Sequence, residues 1–269
     1  MSIKTIVVTR PVAQARQLIE ALNVKIGHLP DVQILSLPLL TIAPKEDIHL
    51  RLEVMDALAD ADLAIFVSPN AIECLMRLLE RPWQSFGKKM IPIGVMGASS
   101  RVALEHHGVG LESSPTPILL PPSNENWDSQ GLWAALQLLG WDWVKRKVVI
   151  FKGDGGRDWL ADTLRAAGAT VNAISVYARI PLDPESPVWN GVLSQDQADS
   201  LWLLTSSEAV RHLGEVMSTQ DHRSLCCATA LCPHRNIAES AKAIGFGTIS
   251  TCQPGDEALM AAVQVWLAV

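Results

Sequence analysis

Asp62-Leu63-Ala64-Ile65-Phe66-Val67-Ser68-Pro69-Asn70-Ala71 and Ser200-Leu201-Trp202-Leu203-Leu204-Thr205-Ser206-Ser207-Glu208-Ala209 are one phrase written twice, about 138 positions apart. Each begins with a short apolar run suited to a buried strand and turns through small hydroxyl or amide side chains into a helix start. A repeat of such long period marks a repeated structural unit. It also marks a place for a ligand. At a helix start the first backbone N–H groups lack partners and the helix dipole is positive, so such loops suit an anion. Two similar domains closing on one acidic ligand are expected.

Working outward, further units echo each other in the same order. Ile6-Val7-Val8-Thr9 is a β-branched strand, and Arg10-Pro11 opens a helix over about 12–22, with Ala15, Leu18, Ile19 and Leu22 at helical spacing. Val148-Val149-Ile150-Phe151 repeats that strand and leads through a Gly-rich turn to a helix carrying Leu160 and Leu164. Gly97-Ala98-Ser99-Ser100, with a helix ending near Gly108-Val109-Gly110, is matched by Ala228-Thr229, with a helix ending near Gly245-Phe246-Gly247. A helical stretch at 130–136 is matched at 257–263. Alternating β and α units of this length imply parallel sheets with helices on both faces and turns gathered at the C-terminal strand ends. Residues 38–44 and 174–181 fall outside the repeat; they are extended, proline-bounded and read as linkers able to pair as a two-stranded bridge. Residues 113–128, rich in Pro, Ser and Asn, read as a long surface loop.

Composition narrows the function. A chain of 269 residues, 48% hydrophobic and 19% charged, is long enough for two domains with their own cores and excludes a disordered or fibrous protein. No apolar run approaches the roughly 18 to 20 residues that span a bilayer. Met1-Ser2-Ile3-Lys4-Thr5 runs straight into a strand without the layout of a secretion signal, so a cytoplasmic protein is expected. The net charge of −6 argues against nucleic acid, which needs a basic stripe, and requires that any acidic ligand be held locally. No membrane contact and no oligomerisation are indicated; a monomer is expected.

Five cysteines, an odd number in a chain too large to need staples, point to reduced thiols. Cys226, Cys227 and Cys232 near His234 match no zinc spacing, and adjacent cysteines on a strand face opposite ways, so buried structural thiols and no metal are expected. The seven histidines are dispersed and form no triad or metal motif.

Several residues are candidates for chemistry, each with a plainer alternative. Lys152-Gly153-Asp154-Gly155-Gly156-Arg157 follows a strand, but Asp158 stands where a dinucleotide fingerprint needs its third glycine, and no Walker lysine follows. It is either a tight turn or an anion-binding turn assisted by Lys152 or Arg157. Ser100 reads as a capping serine or an anion site, and Ser68, Asn70, Ser206 and Ser207 carry the same two readings, with repetition favouring a ligand. Arg10 suits a bidentate carboxylate clamp or a surface ion pair. Tyr177, the one tyrosine, lies in the second linker and not in a core. Its phenol either faces a cleft and donates a proton or packs between linker strands.

Taken in order, Val7-Val8-Thr9-Arg10-Pro11 with Gln14, Phe66-Val67-Ser68-Pro69-Asn70-Ala71, the Gly97 turn, Gly153-Asp154-Gly155-Gly156-Arg157, Val176-Tyr177-Ala178-Arg179 and Thr205-Ser206-Ser207-Glu208-Ala209 resemble the uroporphyrinogen-III synthase family along nearly the whole chain. The resemblance implies an α/β fold: two doubly wound parallel-sheet domains joined by a two-stranded β linker, with the active site in the interdomain cleft. It also implies that one domain interrupts the other: 1–38 with 182–269 form a discontinuous domain, 45–173 the inserted one, and 39–44 and 174–181 the linker strands.

The activity implied is that of a lyase working without cofactor. It cyclises the linear tetrapyrrole hydroxymethylbilane to uroporphyrinogen III, with loss of water and inversion of ring D, in haem and sirohaem biosynthesis. By resemblance, Tyr177 assists departure of the hydroxyl as an aid to a labile leaving group. Arg10, Ser68, Asn70, Ser100, Lys152, Gly153, Ser206 and Ser207 hold the substrate's acetate and propionate arms. Two departures stand out: the register of 227–238 leaves Thr229 and His234 without a role, and Val67 replaces an expected hydroxyl. A non-catalytic ligand sensor of the same fold and a sugar-nucleotide transferase are the rival readings. The second lacks its glycine pattern, and Tyr177 favours an enzyme over a sensor.

Overall fold

The computed structural model describes residues 3–86, 90–112, 116–122, 127–156, 158–219 and 223–268. The chain divides into two compact units, Met1–Thr41 with Ile180–Val269, and Ile42–Arg179. The first passage through unit 1 comprises β1 (Lys4–Val8), α1 (Val12–Ile26), β2 (Val32–Ser36) and the start of β3 (Leu40–Pro44). Unit 2 then contains α2 (Ile48–Ala59), β4 (Leu63–Phe66), α3 (Pro69–Leu79), β5 (Ile93–Val95), α4 (Ala98–His106), β6 (Ile118–Leu119), α5 (Ser129–Gln137), β7 (Lys147–Gly153), α6 (Trp159–Ala166) and most of β8 (Thr170–Pro181). The chain completes unit 1 with α7 (Val188–Leu193), β9 (Ser200–Leu203), α8 (Ser207–Thr219), β10 (Thr229–Cys232), α9 (Arg235–Ala243), β11 (Thr248–Thr251) and α10 (Asp256–Leu267).

Unit 1 is a five-stranded parallel sheet in the order β11-β10-β9-β1-β2. Successive residues of its inner strands serve opposite faces, as the strand period requires. Ile6, Val8, Leu201, Leu203 and Leu231 meet Leu18 and Leu22 of α1 and Leu259 and Val263 of α10. Val7, Trp202, Ala230 and Cys232 meet Val210 and Leu213 of α8 and Ile237 of α9. Unit 2 has the order β3-β8-β7-β4-β5-β6, parallel from β8 to β6. Leu63, Ile65, Val148 and Ile150 face α5 and α6, while Ala64, Phe66, Val149 and Phe151 face α2, α3 and α4. Burial on both faces explains why these strands read as unbroken apolar runs. The expected class, parallel sheets wound on both sides, is the observed one.

The strand orders locate the sites. In unit 1 the chain moves from β1 outward to β2 and from β9 outward to β11, so the winding reverses between β1 and β9. In unit 2 it reverses between β4 and β7. Crevices at the C-terminal ends of strands flanking such reversals are where doubly wound sheets bind ligands.

Some expectations need correction. The described part of 113–128 is not all loop: Ile118 and Leu119 form β6, in register with Ile93 and Gly94 of β5; residues 113–115 and 123–126 lie outside the described residues. Ala228-Thr229 is not the turn matching Gly97, because Thr229 opens β10. The turn is Pro233-His234, where the His234 ring accepts the Asn236 N–H at 3.2 Å and caps α9. Residues 174–181 belong to a twelve-residue strand whose earlier part pairs with β7. Leu182 N–H bonds Leu39 O at 2.9 Å, and Lys45 N–H bonds Val176 O at 3.0 Å.

Cys226 and Cys227 are exposed in a 3-10 turn, with sulfurs 3.8 Å apart, and are neither on a strand nor buried. Cys74 and Cys232 are buried, and burial pushes their thiols up to about 11 and about 12, leaving them protonated and unreactive. Among the described residues no helix is long and apolar enough to cross a membrane.

Candidate functional site

At the unit 2 switch point, β4 runs into Ser68, which stays extended and caps α3. Its Oγ accepts the Ala71 N–H at 3.3 Å, and Pro69 follows at the first helical position. Beside it, β7 ends in a register shift: Lys152 pairs with Ser175, but Gly153 pairs with Tyr177. Without the shift Tyr177 would share the face of Val171 and Ala173. Instead Val176 and Tyr177, adjacent in sequence, both enter the core with Phe66, Phe151 and Ile174. The extra residue of the bulge re-aims the phenol.

The ring has room there because residue 153 has no side chain. A Cβ on Gly153 would lie 2.6 Å from Cε2 and Cζ of Tyr177 and 3.0 Å from its Oη. Tyr177 is therefore 0% exposed, within a core and not in a linker outside one, which overturns the expectation. Its Oη accepts a hydrogen bond from Arg179 Nη2 at 3.0 Å and lies 3.1 Å from Ser68 Oγ. The guanidinium also sits 5.3 Å from the centre of the phenol ring.

The glycine-rich loop after β7 is tied down by charge. Asp154 takes Lys45 Nζ at 2.6 Å and the Ser175 hydroxyl at 2.6 Å on one oxygen, and its N–H donates to Tyr177 O at 2.9 Å. Lys152 pairs with Asp158. Arg157 lies outside the described residues. Lys152, Gly153 and Asp158, with Met96, Ser129 and Arg179, line a cavity of about 200 Å³.

The Lys45 ammonium and, after it, the Ser175 hydroxyl hold the Asp154 carboxyl below its ordinary 3.8. A depressed carboxylate supports the fold above its unfolded pKa, and that support is lost as pH falls through the folded value. A carboxyl titration followed by NMR is thus expected to put Asp154 below 3.8, and Lys45→Met should move the midpoint upward. An unchanged midpoint in that variant would show that the lysine does not set it.

The other predicted residues fall into place around these. Asn70 is in the first turn of α3. Ser100 is 3% exposed inside α4 and does not cap it; the cap is Gly97, against which the Trp127 ring packs, 3.2 Å from where a Cβ would stand. In unit 1, Thr9 Oγ1 donates to Leu203 O at 2.7 Å, joining the ends of β1 and β9. Ser206 Oγ accepts the Ala209 N–H at 3.3 Å, the same capping bond that Ser68 makes, and Ser207 begins α8. Arg10 Nη1 is 2.6 Å from Asp256 Oδ1 at the start of α10, with 16% of its side chain exposed. The ion-pair reading of Arg10 is the one observed, and an incoming carboxylate would compete with Asp256.

The structure thus gathers Ser68, Lys152, Gly153 and Tyr177 at one switch point and Arg10, Ser206 and Ser207 at the other. Sequence reasoning passed over Arg179, although two residues on from Tyr177 along a strand is the position that shares its face. Lys45 gave no signal, because its partner Asp154 lies 109 residues away.

Parallel sheets wound on both faces, in two units with polar groups at each switch point, define a two-unit α/β protein. Within that class the sequence is specific: residues 30–261 match the family model described as "Uroporphyrinogen-III synthase HemD". The chain belongs to the uroporphyrinogen-III synthase family. It is 24% identical over 270 residues to uroporphyrinogen-III synthase of Escherichia coli (strain K12), covering 97% of this chain and 100% of that one. It is 25% identical over 179 residues to the Proteus mirabilis protein of the same name, covering 66% and 82%. Among solved structures, uroporphyrinogen-III synthetase from Helicobacter pylori 26695 superposes with a TM-score of 0.60 at 15% identity, over 98% of this chain and 100% of that one. A mutant uroporphyrinogen III synthase from the extremely thermophilic bacterium Thermus thermophilus gives 0.59 at 16% identity, over 98% of each. At these identities the structures establish a shared fold.

Proposed function

We propose that this chain is a uroporphyrinogen-III synthase, a lyase that cyclises hydroxymethylbilane to uroporphyrinogen III with loss of water and inversion of ring D. The observation that carries the reading is the hydroxyl pair at the β4/β7 switch point of a family member. There the Tyr177 phenol lies 3.1 Å from the Ser68 hydroxyl and is held from behind by Arg179.

The substrate supplies much of the driving force. Its electron-rich terminal pyrrole expels the hydroxyl as water once that oxygen is protonated, leaving an azafulvene cation. Attack by the substituted carbon of ring D on that cation gives a spiro intermediate. The original bond from that carbon to the ring C methylene then breaks, and the freed methylene is captured by ring D's unsubstituted α-carbon, which closes the macrocycle with the ring inverted. What the protein contributes is a proton and a fixed fold of the chain, so that closure occurs at the right carbon. The substrate's carboxylates suit the helix-start amides at Ser68 and Ser206, with Asn70 and Ser207 in the same opening turns and Ser100 in the opening turn of α4. Lys152 beside the glycine-rich loop, in exchange with Asp158, and Arg10, in exchange with Asp256, supply positive charge. Local groups of this kind hold an acidic ligand on a protein of negative net charge.

Incubating the folded protein with enzymatically generated hydroxymethylbilane and separating the uroporphyrinogen isomers tests the reading. The type III isomer is expected. Only the spontaneously formed type I isomer would leave the rival sensor reading in its place.

A further inference from the structure

We propose that the group meeting the departing hydroxyl is Ser68, and that Tyr177 reaches the substrate only through it, as the middle member of a relay Arg179–Tyr177–Ser68. The inference rests on the synthase reading and deepens it. Tyr177 is 0% exposed, so its oxygen has no open side on which to meet a substrate. Ser68 is half-buried at the C-terminal end of β4, beside the reversal of winding where doubly wound sheets bind ligands.

The direction of each hydrogen bond follows from what each group is able to do. A guanidinium only donates, so the 3.0 Å contact delivers an Arg179 hydrogen to Tyr177 Oη. The phenol's own proton then needs an acceptor, because a buried hydroxyl left without one is costly. Ser68 Oγ, at 3.1 Å, is the acceptor within reach among the described residues. That same oxygen accepts the Ala71 N–H at 3.3 Å. With both acceptor sites of Ser68 occupied, its hydrogen is left to point away from Tyr177 and from the helix.

The step balances without any further reagent. Ser68 gives its proton to the substrate's hydroxyl oxygen as the carbon–oxygen bond breaks, with the bonding pair leaving on that oxygen as water. The Tyr177 proton passes to Ser68 Oγ, and the resulting phenolate faces the Arg179 guanidinium. After closure, the unsubstituted α-carbon of ring D, which forms the final bond, loses its proton, and that proton returns through Ser68 to Tyr177. Arg179 touches no reacting atom; it is a positioning residue that holds the phenol oxygen and faces the transient charge.

The test compares kcat and KM for type III isomer formation in Ser68→Ala, Tyr177→Phe and the double variant. Each single change should lower kcat by a similar factor, roughly 10²-fold, at the low end for a general acid because the leaving group is labile. KM should stay within about twofold, and the double variant should be no slower than the slower single, as members of one relay require. Ser68→Thr should recover most of the rate. Ser68→Asn keeps a capping oxygen but no hydroxyl, so it should lose rate while the thermal midpoint holds. The proposal is overturned if Ser68→Ala or Ser68→Asn keeps kcat, if only KM moves, or if the two losses multiply. Absence of any type III product from the unaltered protein would instead sink the synthase reading itself.

Discussion

Gly153→Ala is expected to lower kcat for type III isomer formation by about 10²-fold, the loss also expected of Tyr177→Phe, and to destabilise unit 2 by about 1–3 kcal/mol. The added methyl would stand 2.6 Å from two ring carbons of Tyr177, far inside contact distance, and Tyr177 is fully buried in the core that also holds Phe66, Phe151 and Val176. Relief requires the phenol to swing off the strand or the β8 bulge opposite Lys152 and Gly153 to flatten. Either movement breaks the contact to Ser68 and the bond from Arg179. Combining Gly153→Ala with Tyr177→Phe separates the two effects. The destabilisation should persist, since the ring remains, while little further rate is lost. A Gly153→Ala protein with full activity would mean that the phenol's position does not matter to the reaction.

Trp202→Ala is expected to cost about 3–5 kcal/mol, the range for emptying a large core site. Trp202 is 0% exposed on the middle strand of unit 1, flanked by Val7 and Ala230, with its ring edge-on to Phe246 at 5.8 Å. The indole N–H donates to Gln197 Oε1 at 3.1 Å, and the same amide donates to Val192 O at 3.1 Å and Gln195 O at 3.0 Å. Removing the indole leaves both a cavity and a buried acceptor without its donor. With two units in one chain, a single unfolding curve is the wrong measure. Native-state hydrogen exchange should instead show the loss in β1, β9 and β10, with β4 and β7 keeping their protection. A loss below about 1 kcal/mol would show that the site collapses and refills.

The elements legible in the sequence were those whose signal is local. Leu63-Ala64-Ile65-Phe66 and Val148-Val149-Ile150-Phe151 are buried throughout, so each announces a two-faced strand within four residues. The capping bonds of Ser68 and Ser206 span only three residues. Edge strands gave less. Val32–Ser36 and Thr248–Thr251 are only partly covered, so they lack an apolar run, and Ile118–Leu119 pairs for two residues inside a polar stretch. Cys226 and Cys227 have a strand close behind them in sequence, but it begins only at Thr229. Ser100 had the composition of a cap, yet the extended residue before α4 is Gly97.

The residues of the repeat determined by themselves that strands would be parallel, buried on both faces and followed by capped helix starts, because burial period and capping depend on neighbours three or four positions away. Only the tertiary structure decided where the phenol goes. Its placement needs a bulge opposite Lys152, a missing side chain at residue 153 and a hydroxyl 109 residues away, none of which leaves a period in the chain. The same holds for Arg10, whose charge is met by Asp256 across 246 residues. Contacts of that range depend on how strands are ordered in a sheet, and that order is settled by packing.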